Sequence, residues 1–111
     1  EPIFYGWKKK GTHQWFGDRS ETSILEFPRP TSSDLHPTMK PIELITKAIN
    51  NSSQPNDIII DFFGGSGSTL IASELTNRKC YMMEIDPLYC DVIITRWENL
   101  TGKKATKQDG N

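Results

Sequence analysis

The sequence predicts an α/β fold, in which a partial Rossmann-like sheet with flanking helices follows a β-rich N-terminal segment. Two apolar runs, residues 58–63 and 80–83, predict strands over residues 58–63 and 80–85, and a glycine-rich turn with a helix-forming stretch lies between them. The first run is interrupted only by Asp61, which is typical of a strand buried on both faces of a parallel sheet. Amphipathic stretches before and after the two runs supply the flanking helices.

The size and charge of the chain limit its organisation and its partners. With 111 residues there is room for one domain, in which we expect a β-rich segment (1–30), a βαβα unit (31–102) and a polar tail (103–111). The net charge of −1 excludes a strong overall basic field for nucleic acid. No apolar stretch approaches the ~20 residues that span a membrane, and no secretion signal opens the chain. The first residues resemble the middle of a protein, so we expect a piece of a longer chain.

The two cysteines indicate a reducing compartment rather than a metal site. Cys80 and Cys90 lie in a predicted strand and in the helix after it, without the spacing of metal ligands. Reduced, partly buried thiols of a cytoplasmic protein explain both residues. We therefore expect a cytoplasmic protein without a bound metal.

The N-terminal segment is expected to contribute strands to the sheet. Residues 2–8 and 13–16 are predicted to pair as a hairpin around a lysine-rich turn, and residues 23–27 are predicted to form a further strand. Trp7 and Trp15 allow two interpretations. They could stack on bases while the lysines contact phosphates, or they could pack inward beneath a solvated turn, which is the usual state of a short basic run.

Helix signals bound three elements in the rest of the chain. Pro41 is pre-set for a first helical turn, and the apolar stripe that follows it consists of Ile42, Ile45 and Ile49. Residues 68–77 are predicted to form a second helix. Asp86 and Pro87 suit the N-cap and the first position of a third helix, which Gly102 is expected to end. The apolar face of that third helix consists of Tyr89, Ile93, Trp97 and Leu100.

The glycine-rich turn at residues 64–69 is the main sign of a ligand site. Glycines permit positive φ and the close approach of a ligand, and the helix N-terminus that follows offers free N–H groups to an anion. Glu84 follows Gly67 by 17 residues, near the ~20-residue spacing at which an acid reaches ribose hydroxyls in dinucleotide folds. A P-loop would need a lysine before the Ser-Thr pair, which is absent. A dinucleotide fold would need the third glycine of its G-x-G-x-x-G pattern, where residues 65–70 have Leu70. A nucleoside-type ligand and a purely structural turn both stay open.

Three motifs resemble those of amino-group DNA methyltransferases and stand in the same order. Residues 61–69, Asp-Phe-Phe-Gly-Gly-Ser-Gly-Ser-Thr, resemble the Asp-x-Phe-x-Gly-x-Gly motif that binds S-adenosylmethionine (SAM) in that family. Residues 36–41, His-Pro-Thr-Met-Lys-Pro, resemble the motif that precedes it in the subgroup whose cofactor motif lies near the C-terminus. Residues 84–89 resemble the acidic segment that ends the second strand. The resemblance implies that residues 31–102 are an SAM-binding βαβα unit of a methyltransferase sheet.

The resemblance also implies SAM as the cofactor and a role for each matching residue. Asp61 would lie near the cofactor ammonium, while Ser66 and Thr69 would hydrogen-bond its carboxylate. Glu84 would accept both ribose hydroxyls, and Ile85 would line the adenine. The methionine side would be closed by Thr38, Lys40 and Pro41. The full set of implied cofactor-binding residues is Thr38, Lys40, Pro41, Asp61, Phe62, Phe63, Gly64, Gly65, Ser66, Gly67, Thr69, Glu84 and Ile85.

The catalytic motif of that family does not occur in the sequence. Transfer to an exocyclic amine there uses (Asp/Asn/Ser)-Pro-Pro-(aromatic), whose aromatic residue stacks on a flipped base, and the chain contains no Pro-Pro pair. The segment Asp86-Pro87-Leu88-Tyr89 is similar, but a helix start explains it better. We therefore assign no catalytic residue and expect the chain alone to be inactive.

The resemblance implies the C-terminal, cofactor-binding portion of a DNA methyltransferase that modifies adenine N6 or cytosine N4. Double-stranded DNA would be the partner of the full-length protein, and a phage or a restriction–modification origin fits. A non-catalytic remnant or interaction module with the same fold is the alternative, and a dinucleotide enzyme is a third. Missing strands would expose apolar sheet edges, so a homodimer is also expected.

Overall fold

The computed structural model describes residues 3–18 and 40–108, and it confirms the predicted α/β fold. The five elements in chain order are α1 (Ile42–Ser52), β1 (Ile58–Asp61), α2 (Ser68–Leu75), β2 (Lys79–Met82) and α3 (Pro87–Thr101). The strand predicted at residues 23–27 lies outside the described residues. Within residues 3–18 and 40–108, no helix is both long and apolar enough to cross a membrane.

The two strands lie side by side as a parallel pair. Ile58 is opposite Lys79, and Asp61 is opposite Met82. A parallel pair needs a crossover connection, which α2 supplies. The backbone bonding continues to Met83, whose N–H donates to Asp61 O at 2.9 Å. The predicted strand end at residue 85 is therefore too late, because beyond Met83 the chain turns toward the loop that follows β1.

Arg78 stabilises the turn that follows α2. Asn77 adopts a left-handed φ of 61°, which ends the helix before the predicted residue 77. The Arg78 guanidinium then donates from Nε to Ser53 Oγ (3.1 Å), from Nη2 to Ser53 O (2.9 Å) and from Nη1 to Thr76 O (2.7 Å). Since Ser53 follows α1 directly, these bonds join the end of α1 to the turn between α2 and β2.

α2 packs on one face of the sheet, and α1 and α3 pack against α2. α2 contacts α1, β2 and α3, and the buried apolar residues are Ile49, Ile71, Ala72 and Ile93. On the opposite face Ile58, Ile60 and Tyr81 are 57%, 59% and 62% exposed. The prediction that the first strand is buried on both faces is therefore wrong, because no element among the described residues packs on this second face.

Residues 3–18 contain no strand, so the predicted N-terminal hairpin is wrong over this range. A turn occurs where the lysines were expected, with Gly11 N–H donating to Lys8 O at 2.8 Å. The aromatic rings contact one another instead of lining a pleated surface: Trp7 and His13 stack with their centroids 4.1 Å apart. Strand preference depends on packing against a sheet, and these rings pack on each other. Trp7 is 57% exposed, so inward packing is also wrong for this residue.

The ends of α3 agree with the sequence prediction. The Asp86 side chain accepts a hydrogen bond from Leu88 N–H at 2.9 Å, and Pro87 occupies the first helical position. At the other end, Gly102 adopts a left-handed φ of 72° and its N–H donates to Glu98 O at 2.9 Å. The N-cap and C-cap of this helix are therefore confirmed. Asp86 and Pro87 start a helix here, as the simpler interpretation of this segment required.

Candidate functional site

The candidate site lies at the carboxyl ends of β1 and β2, where two loops meet. The first loop comprises residues 62–67 and is called the glycine loop below, and the second comprises residues 83–86. Open α/β sheets bind ligands outside the carboxyl ends of their strands. The two loops are joined through the backbone, because Gly64 N–H donates to Met83 O at 2.8 Å. At the start of the first loop, Phe63 N–H donates to Oδ1 of Asp61, the last residue of β1, at 2.9 Å.

At two positions of the loop, glycine is needed because the neighbouring side chains leave no room for a Cβ, whether or not a ligand binds. A Cβ on Gly64 would lie 2.7 Å from Met82 Cγ, and a Cβ on Gly67 would lie 2.9 Å from Ile93 Cγ1. Gly67 also has a left-handed φ of 87°, which side chains rarely adopt. The structural interpretation of the turn is thus correct for these positions, and it does not conflict with a ligand that contacts the backbone.

Glu84 is the link between the two loops. Its Oε1 accepts a hydrogen bond from Gly65 N–H at 2.8 Å, and its Oε2 accepts one from Asp86 N–H at 2.9 Å. Hydrogen bonds to an ionised acceptor are about twice as strong as neutral ones. The sequence prediction gave Glu84 a role toward the ligand only. The structure adds that the same carboxylate holds the glycine loop against the end of β2.

Arg96 of α3 was missed by the sequence prediction, although it supports the glycine loop from the other side. Its Nη1 donates to Ser66 O at 2.9 Å, to Ser66 Oγ at 3.2 Å and to Ser68 Oγ at 3.3 Å. Burial lowers the pKa of Arg96. The sequence did contain a sign of this role. Arg96 follows Ile93 by three residues, so it lies beside the predicted apolar face of α3, where a partly buried arginine needs hydrogen-bond acceptors.

The remaining predicted residues lie in three places. Apolar side chains at the rim are exposed: Phe62 is 62%, Phe63 89% and Ile85 98% exposed. Thr69 lies in the first turn of α2, where its carbonyl accepts a hydrogen bond from Ser73 Oγ at 2.7 Å. Lys40 and Pro41 immediately precede α1, and Thr38 lies outside the described residues. The structure therefore brings together the glycine loop and Glu84, whereas the 38–41 segment is described only at its end.

The cysteines and acids are not arranged as a metal centre in the described part of the chain. Residues 3–18 and 40–108 contain no group of three or more His, Cys, Asp or Glu that is placed to hold a metal ion. Burial raises the pKa of the Cys80 thiol, which a hydrogen bond with Ser73 partly offsets. A thiol with a raised pKa is protonated at neutral pH, so it is a poor metal ligand and a poor nucleophile.

The chain matches one protein family over most of its length. The family N6_N4_Mtase, described as DNA methylase, matches residues 2–95. Type II methyltransferase M2.MboI of Moraxella bovis is 33% identical over 89 residues, which are 77% of this chain and 33% of that protein. Type II methyltransferase M.XycI of Xanthomonas campestris pv. cyanopsidis is 29% identical over 97 residues, which are 86% of this chain and 32% of that protein. The chain thus spans about a third of the length of these relatives.

A solved structure agrees with the sequence matches. The crystal structure of the M1.HpyAVI–SAM complex superimposes with a TM-score of 0.69 at 31% sequence identity, and the match covers 81% of this chain and 46% of that one. This solved structure therefore shares both the fold and part of the sequence with the chain. This chain belongs to the N6_N4_Mtase family of DNA methylases.

Proposed function

We propose that the chain is the SAM-binding C-terminal portion of a DNA methyltransferase that methylates adenine N6 or cytosine N4. The observation that carries this proposal is the joining of the glycine loop to the loop after β2 through Glu84, whose carboxylate accepts from Gly65 N–H and Asp86 N–H. This places backbone donors, serine hydroxyls and a carboxylate at one edge of the sheet. A ligand with an amino-acid end and a ribose needs such a mixed set of donors and acceptors.

The proposed contacts follow the chemistry of each residue. Glu84 would accept ribose hydroxyls, and Asp61 would attract the positive amino-acid nitrogen of the cofactor. Ser66 and Thr69 would donate to its carboxylate. The exposed apolar side chains of Phe63 and Ile85 lie at the rim of the site, where they would cover the less polar parts of the cofactor. The other members of the proposed site are Thr38, Lys40, Pro41, Phe62, Gly64, Gly65 and Gly67.

The chain would bind the cofactor without performing the transfer. When bound, SAM supplies a methyl group on a sulfonium, which an exocyclic amine can attack in line. The amine has to be held and the base flipped out of the duplex, and the sequence contains no Pro-Pro motif for that task. We therefore place the base-holding motif, and the contacts with double-stranded DNA, in the longer protein. A dinucleotide enzyme is not supported, because Leu70 stands where the G-x-G-x-x-G pattern that starts at Gly65 needs its last glycine.

Methyl transfer by the longer protein tests the proposal. The parent reading frame is expected to contain an upstream Asp-Pro-Pro-Tyr-like motif, and the purified parent protein is expected to transfer tritium from labelled SAM to double-stranded DNA. The matched 111-residue chain should bind cofactor and transfer no label. A parent protein without the motif and without transfer would instead support the non-catalytic module. Transfer by the 111-residue chain alone would refute the proposal that this chain binds the cofactor without performing the transfer.

Two further parts of the proposal concern location and assembly. A DNA methyltransferase works where its DNA lies, so we place the protein in the cytoplasm of a cell with a restriction–modification system or a phage. The second sheet face exposes Ile58, Ile60 and Tyr81, and burying such a surface is favourable by about 25 cal/mol per Å² of apolar area. We therefore propose that two copies of the chain associate through this face and the adjoining edge of β1.

Sedimentation tests this association directly. The 111-residue chain is expected to show a concentration-dependent dimer, and Ile60→Lys should shift it toward the monomer. Asn99→Lys is a control that also introduces a lysine, but at an exposed polar position of α3, so it removes no apolar surface from the sheet. A clean monomer at high concentration would contradict the dimer without affecting the cofactor site.

A further inference from the structure

α3 is a platform for the glycine loop, and it contacts the loop at two positions. Ile93 lies beneath Gly67, where an added Cβ would come within 2.9 Å of Ile93 Cγ1. One turn further along α3, Arg96 reaches the backbone carbonyl and hydroxyl of Ser66 and the hydroxyl of Ser68. Ser66 and Ser68 are 5% and 7% exposed. The polar atoms that Arg96 holds therefore belong to nearly buried residues of the glycine loop and of the first turn of α2.

The three acceptors of Arg96 are all neutral. A partly buried guanidinium loses hydration, which is the reason why its pKa is lowered. An arginine nevertheless stays protonated in proteins, so its positive charge is retained under the loop. The usual structural solution for a buried arginine is a carboxylate partner. Here neutral oxygen atoms of the glycine loop and of the first turn of α2 accept hydrogen bonds from the guanidinium instead.

The glycine loop needs such a support because of its own backbone. Gly65 and Gly67 have left-handed φ values of 57° and 87°, and they flank Ser66 on both sides. Glycine has the largest conformational freedom of any residue, so two glycines around one serine leave its orientation undetermined by local structure. Glu84 fixes Gly65 from the β2 side, and Arg96 fixes Ser66 from the α3 side.

We infer that Arg96 is a positioning residue for cofactor binding. It orients the hydroxyls of Ser66 and Ser68 and adds positive charge beneath the loop, so that the loop can receive the negatively charged end of the cofactor. This inference rests on the proposed function, since it assigns a supporting role at the same site. Arg96 need not touch the cofactor, because it acts through Ser66 and Ser68.

Arg96→Gln and Arg78→Gln form a matched pair for the test. Arg78 is also partly buried and also makes three hydrogen bonds, but its acceptors are Ser53 and Thr76, away from the glycine loop. Both variants of the 111-residue chain are expected to lower the melting temperature. Arg96→Gln alone should raise the dissociation constant for S-adenosylhomocysteine by about tenfold. Arg96→Lys keeps the charge but loses the planar fork, so its dissociation constant should lie between those of the wild type and Arg96→Gln.

Hydrogen exchange in the free chain gives a second readout that needs no ligand. Arg96→Gln should speed exchange of the Gly67 amide, which donates to Gly64 O in the ordered loop, whereas Arg78→Gln should not. Unchanged exchange in Arg96→Gln would overturn the inference. Faster exchange with unchanged affinity would also overturn it, because the variant would then have a less ordered loop and still bind the cofactor analogue equally well. If the wild type binds no cofactor analogue, the proposed function fails, and the exchange result alone decides whether Arg96 orders the loop.

Discussion

Replacing Gly67 with alanine is expected to lower the free energy of unfolding by about 3 kcal/mol or more. Two costs combine at this position. The backbone has a φ of 87°, in the left-handed region, and the added Cβ would lie 2.9 Å from Ile93 Cγ1. Ile93 is buried in the small core between α3 and α2, so it has little room to move. Urea unfolding of the variant and of the wild type measures the difference.

Gly102→Ala is the matched control for this prediction. Gly102 has a similar left-handed φ of 72°, but a Cβ there meets no atom within 4 Å. This variant therefore carries the backbone cost alone, about 1–2 kcal/mol. The difference between the two variants isolates the contact with Ile93. Equal losses in the two variants would show that the close packing of Gly67 on α3 is not present in solution.

Glu84→Gln is expected to weaken S-adenosylhomocysteine binding by at least about tenfold, and to destabilise the chain by about 1–3 kcal/mol. The two carboxylate oxygens accept from two different N–H groups, those of Gly65 and Asp86. A glutamine has one carbonyl oxygen, so its NH₂ group would have to face one of these donors. The loop therefore loosens, and the negative charge proposed to accept the ribose hydroxyls is lost. Calorimetric titration and urea unfolding of the same variant measure the two effects.

Glu98→Gln is the control for the loss of a carboxylate. Glu98 lies near the end of α3, where it pairs with Lys104 at 3.8 Å and accepts a hydrogen bond from Ala105 N–H. A glutamine at this position keeps one acceptor for the Ala105 N–H, so Glu98→Gln should cost less stability than Glu84→Gln, and it should leave the ligand affinity unchanged. If Glu84→Gln binds the analogue as tightly as Glu98→Gln does, Glu84 has no role toward the ligand.

The order and the ends of the main elements were predictable from local rules. Asp86, Pro87 and Gly102 mark α3 because capping depends on single residues and their own backbone angles. The parallel strand pair followed from a turn and a helix between two apolar runs. These signals are local, so a single sequence carries them.

The errors in the fold concern contacts that are not local. The strands predicted at residues 2–8 and 13–16 needed a sheet to pair with, and over residues 3–18 the aromatic rings pack on one another instead. Burial of Ile58 and Ile60 needed a second covering layer, which the described residues do not supply. An apolar run indicates that a strand is able to be buried, but it does not show which neighbours are present.

The residues of the candidate site were predictable where residue type and sequence spacing both point to a ligand. The residue that supports the glycine loop from α3 was not predictable. Glu84 and the glycines were found from spacing, although the backbone bonds of Glu84 were not. Arg96 is 30 residues from Ser66 in sequence, and no motif joins them. A helix that packs beneath a loop becomes visible only when the fold brings the two together.

Titration of the 111-residue chain with S-adenosylhomocysteine, followed by calorimetry and by backbone amide shifts, tests the central claim most directly. We predict one site per chain, with amide shift changes confined to residues 62–69 and 84–86, and no such response to NAD. A folded chain that shows neither heat nor shift changes would contradict the claim. So would changes that fall outside these two segments, or a stronger response to NAD than to S-adenosylhomocysteine.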